Sequence, residues 1–131
     1  MFFKLYIIAF SLFLGMDMLW LGVVAKNYYR SQVGDLLKDP FSIAPALLFY
    51  AVYIFGLVLF VISPSIQKSS VLDALLYGAV FGFVCYATYD LTNLATVKNW
   101  PLQLVFVDIL WGTVLSTFTS FVAYKIYFWI Y

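Results

Sequence analysis

Four long apolar segments, residues 5–25, 46–62, 74–97 and 102–124, take up most of this chain and leave only short stretches between them. A helix that crosses a bilayer needs about 20 apolar residues, and each segment is of that length or just under it. A run of this kind suits a helix because lipid offers no partner for backbone N–H and C=O groups, which a helix satisfies internally. Barrel strands would instead alternate apolar and polar residues, and these segments do not. The pattern therefore predicts an all-α integral membrane protein, a four-transmembrane-helix bundle with both termini on the same side.

Composition agrees with that reading. Of 131 residues, 66% are apolar and 10% charged, against about 45–50% and about 25% in soluble domains. A water-soluble fold of this size would expose large apolar patches, so the lipid bilayer is the expected surrounding, and a single membrane domain, 1–131, uses the whole length. The first segment follows Lys4 as a signal peptide would. Its apolar run is too long for one, and Asp17 and Trp20 do not belong in such a core, which makes it an uncleaved anchor. Net charge is +1 without a clustered basic face, which speaks against a nucleic-acid partner. The positive-inside comparison sets Lys26, Arg30, Lys38 and Lys98 against Lys4, Lys68 and Lys125, and so assigns no side.

Residue absences narrow the chemistry. The chain has no His and no Glu, and its six acids are Asp17, Asp35, Asp39, Asp73, Asp90 and Asp108. Histidine acid–base chemistry, Ser-His-Asp triads and His-ligated zinc are excluded. The one cysteine, Cys85, sits in an apolar stretch and reads as packing. No cofactor and no metal are expected.

Asp17, Asp90 and Asp108 fall inside the apolar segments, where a carboxylate costs at least about 2.5–3.5 kcal/mol. At about 1.5 Å rise per residue, they lie roughly 12, 10 and 9 Å from the span ends that border connections 26–45 and 98–101. Alternating helix direction then puts all three at one level, in one half of the bilayer. Their neighbours are polar or amphipathic: Trp20 follows Asp17 at i+3, Trp111 follows Asp108 at i+3, and Tyr86, Tyr89, Asp90 and Asn93 share a helix face, with Thr88, Thr92 and Thr96 on an adjacent stripe. No Lys or Arg lies within a span, so low dielectric and mutual repulsion oppose three simultaneous negative charges. The expectation is a buried polar cluster of the first, third and fourth spans, either a proton- or cation-handling site or a pocket for a polar group. The plainer alternative is that these groups hold the helices together by hydrogen bonds across lipid.

Smaller signals stay open. Gly78 and Gly82 form a G-x-x-x-G that permits close helix approach within the chain or in a dimer. Asp17-Met18-Leu19-Trp20 and Asp108-Ile109-Leu110-Trp111 hint at an inverted repeat, although such a repeat would place the acids on opposite sides of the midplane. Connection 26–45 carries Tyr28, Tyr29, Leu36, Leu37 and Phe41, which either lie along the bilayer surface or belong to a solvated loop. Residues 127–131 read as an interfacial anchor.

The segments M-D-M-L-W-L-G (16–22), A-P-A-L-L-F-Y (44–50), Y-A-T-Y-D-L-T-N-L-A-T (86–96), W-P (100–101) and V-D-I-L-W-G (107–112) resemble a bacterial family of small predicted membrane proteins, domain of unknown function 2177 (DUF2177). The resemblance runs over almost the whole chain. It implies a bacterial four-span membrane protein and brings no reaction, substrate or catalytic residue with it. Three functions compete. The first is proton- or cation-linked transport or permeation of a small solute through a homodimer or higher oligomer in the bacterial inner membrane. The second is an enzyme or enzyme subunit acting on lipid or isoprenoid chains; it lacks any D-D-x-x-D motif or paired nucleophile and base, so the sequence leans away from an enzyme. The third is a non-catalytic accessory protein.

Overall fold

A computed structural model describes residues 1–38 and 42–131. Four helices are long and apolar enough to cross a membrane: α1 (Phe2–Val24), α3 (Ile43–Gln67), α4 (Val71–Thr96) and α5 (Leu102–Ile130). A fifth, α2 (Lys26–Val33), lies in the first connection and tightens into a 3₁₀ turn at Gly34–Leu36. That connection is thus largely helical, and its residues Asp39 and Phe41 lie outside the described residues.

Local chemistry explains the boundaries. Pro64 does not end the second span, as a proline in a connection would; α3 continues through it to Gln67. Proline lacks an N–H and crowds the carbonyl four residues back. The wider π turn at Val58–Ile62 lies just before it and takes up that mismatch, while Ser65 Oγ donates to the Val61 carbonyl at 2.6 Å. The turn to α4 is correspondingly tight. Ser69 takes a positive φ of 52°, the Ser70 hydroxyl caps α4 by accepting from the Asp73 N–H at 3.1 Å, and Lys68 meets Asp73 at 3.8 Å. Between α4 and α5, Asn99 turns the chain at φ 60°, a conformation asparagine tolerates.

Close packing of α4 on α5 anchors the bundle. A side chain at Gly82 would meet the Gly112 carbonyl and Ser116, and one at Gly112 would run into the Tyr86 ring. The G-x-x-x-G therefore serves contact within the chain. On the other side, α1 packs Leu5, Ala9 and Phe13 against Ile54, Leu57, Val58 and Ile62 of α3 and Leu115 of α5, and the Tyr6 hydroxyl donates to the Ala51 carbonyl at 2.9 Å. At 29 residues, α5 is about 44 Å long, more than a hydrocarbon core of about 30 Å. Its last turns, with Lys125, Tyr127 and Trp129, overrun that core, and the Lys4 ammonium sits over the Tyr131 ring at 4.2 Å.

Candidate functional site

The apolar core fills one half of the bundle. In the other half, Asp17 on α1 and Asp108 on α5 face a common cavity of about 490 Å³. Its walls are the rings of Tyr29, Phe49, Tyr50, Tyr53, Tyr86, Tyr89 and Trp111, together with Leu21 and Cys85. No lysine or arginine lines it.

Each carboxylate is held by donors from other helices. Asp17 is 5% exposed; it accepts from the Tyr50 hydroxyl of α3 and from Trp111 Nε1 of α5 at 3.0 Å. Asp108 Oδ1 accepts from the Tyr29 hydroxyl of α2 at 2.7 Å, and Trp20 Nε1 of α1 in turn donates to the Tyr29 oxygen at 3.2 Å. The support is crossed, because each of the two tryptophans serves the acid of the opposite helix. Their indoles stack nearly parallel, with 4.3 Å between centroids and 8° between planes. Tyr29 lies outside the spans, and burial, followed by the charge of Asp108, holds its phenol above the usual tyrosine range. Below the acids, the Tyr53 and Ser116 hydroxyls share a hydrogen bond of 2.6 Å.

The residues singled out from the sequence do not all meet at one place. Asp17, Trp20, Asp108 and Trp111 form the crossed network, and Tyr86 and Tyr89 stand in the cavity wall. Asp90 is fully buried and lies against Asp108, outside that wall. Asn93, a turn further along α4, is half-buried and does not line the cavity. Thr88 and Thr96 are exposed and donate to carbonyls of their own helix, at 2.6 and 2.8 Å, so the threonine stripe faces away from the acids.

Three contributors escaped the sequence reading: Tyr29, Tyr50 and Tyr53. The second span belongs to the cluster as well as the first, third and fourth. A depth count reveals it, since Tyr50 lies seven residues into α3, about 10 Å, at the level of the acids. Tyr29 gave no such signal, because a tyrosine beside a membrane is ordinarily an interfacial anchor.

Known proteins add one finding. No curated protein and no solved structure matches the chain. The family described as "Predicted membrane protein (DUF2177)" matches residues 2–125. With nearly its whole length accounted for, the chain belongs to the DUF2177 family of predicted membrane proteins.

Proposed function

We propose that this chain is a small transport or permeation protein of the bacterial inner membrane, in which the acid-lined cavity binds a cationic or hydrogen-bonding solute and exchanges it for protons. One observation carries the reading: Asp17 and Asp108 face one aromatic-walled cavity that has no basic residue to neutralise them. In low dielectric, a carboxylate without a cationic partner is strongly disfavoured, so a proton or a bound cation must compensate it. Tyrosine and tryptophan faces add attraction for a cation, about 0.5–2 kcal/mol each depending on desolvation. The opposite half of the bundle is closed by Phe13, Leu57 and Leu115. Passage therefore calls for rearrangement or a second copy, which favours a homodimer or higher oligomer as the working form.

Reconstitution into proteoliposomes that enclose a pH-sensitive dye tests this. An inward gradient of tetraphenylphosphonium is expected to drive proton efflux, and Asp17→Asn and Asp108→Asn are each expected to abolish it. Wild-type flux equal to that of empty vesicles, or flux indifferent to both substitutions, contradicts the reading. A second reading, chemistry on lipid or isoprenoid chains, draws on the largely apolar wall and on Leu21 and Phe49 in it, which are 40% and 47% exposed. It predicts a retained lipid in native mass spectrometry and altered lipid composition on expression.

A further inference from the structure

Beside the cavity, three polar groups are buried without a partner: both carboxyl oxygens of Asp90 and the Trp100 indole nitrogen. Buried polar groups are nearly always hydrogen-bonded, and a cluster of exceptions calls for a physical cause. Asp90 is 0% exposed. Along the antiparallel α4–α5 seam Gly78 meets Ser120, Gly82 meets Ser116 and Tyr86 meets Gly112, so the next step of this register sets Asp90 opposite Asp108, with the Trp100 indole of the α4–α5 connection beside it. The remaining titratable group close to Asp90 is Tyr89, on its own helix. Asp108 in turn faces Asp17 of α1 and Tyr29 of α2. Among the described residues the one ion pair is Lys68 with Asp73, so no basic side chain bridges the two carboxyls.

Two ionised carboxylates in contact, shielded from water, repel one another strongly, so something positive must lie between them. A metal cation fits poorly, because among the described residues no group of three or more potential ligand side chains is placed to hold one. One proton on Asp90 removes that repulsion and gives its buried carboxyl a group to donate. The protonated oxygen then donates to the Asp108 carboxylate, which can only accept. Asp108 Oδ1 remains engaged by Tyr29, so Asp108 is the group shared between this pair and the cavity.

We propose that Asp90 is a proton-binding site, holding a proton against Asp108 at neutral pH and releasing it when Asp108 is neutralised from the cavity side. The proposal rests on the transport reading for its purpose and on the orphaned groups for its chemistry. Its logic is competition. A cation that settles against Asp108 offsets the negative charge that holds the proton; the proton leaves for solvent, Asp90 becomes the carboxylate, and the net charge of the site is unchanged.

Infrared difference spectroscopy of the purified wild-type protein decides the assignment. A protonated-carboxyl carbonyl band that shifts in heavy water is expected at neutral pH, and Asp90→Asn is expected to remove it. Absence of a band that depends on Asp90 overturns the proposal. In proteoliposomes, Asp90→Asn is expected to stay folded and to bind tetraphenylphosphonium like the wild type, because its amide reproduces the protonated acid. Its proton flux should be lost, and wild-type flux in that variant also overturns the proposal. An inactive wild type, by contrast, would count against the transport reading, and the infrared result would still decide the role of Asp90.

Discussion

Two neutral donors reach Asp17 from different helices, Tyr50 from α3 and Trp111 from α5. Hydrogen bonds to a charged group contribute about 1.5–3 kcal/mol, and a buried acceptor left short costs about 1–3 kcal/mol. Trp111→Phe keeps the aromatic face that stacks on Trp20 and removes the indole N–H. It is expected to lower stability in detergent by about 1–3 kcal/mol, measured by thermal unfolding. Trp129→Phe, at a residue 85% exposed, should leave the midpoint unchanged. Tyr29 makes a second prediction at this scale. Its folded-state value is raised above the ordinary one of about 10, so the neutral phenol favours the fold. That contribution is complete below about pH 10 and is lost as alkali rises further. Tyrosinate absorbance should show Tyr29 still un-ionised where exposed tyrosines have titrated, read as wild type minus Tyr29→Phe. A phenol at position 29 that ionises with the exposed ones contradicts its engagement with Asp108.

Among the elements, the α4–α5 pair and α2 do different work. Small residues let α4 and α5 approach until Gly82 lies against the Gly112 carbonyl, the kind of packing that replaces hydrophobic drive between helices in lipid. Gly82→Ala is expected to cost about 1–3 kcal/mol by overpacking, whereas Gly15→Ala, with nothing within 4 Å of the added atom, should not destabilise. Equal stability of the two variants contradicts this seam. The spans were legible in the sequence because lipid leaves little choice to an unbroken apolar run. The continuation of α3 through Pro64 was hidden, since whether a proline ends or bends a helix depends on the π turn before it. Tyr29 was hidden for another reason. Its role depends on α2 folding back to set that side chain over Asp108, a long-range contact with no periodic trace in residues 26–45.

At the scale of the molecule, the bundle divides into an apolar half and a polar half. The depth count from the sequence placed the three acids at one level, and Asp17 and Asp108 do share a cavity. It could not foresee that Asp90 stands behind Asp108 instead of beside it in the wall, because depth fixes height along a helix and leaves rotation open. In the proposed transport function, the polar half supplies uncompensated carboxyls for a cation or proton, and the packed half keeps a single copy closed. The proposed mechanism links cation binding at Asp108 to proton release, and titrating tetraphenylphosphonium into purified protein in weakly buffered detergent while recording pH measures that linkage. Wild type is predicted to release protons in step with binding, and Asp108→Asn to release none. Binding with no change in pH, or release unaffected by Asp108→Asn, would contradict it.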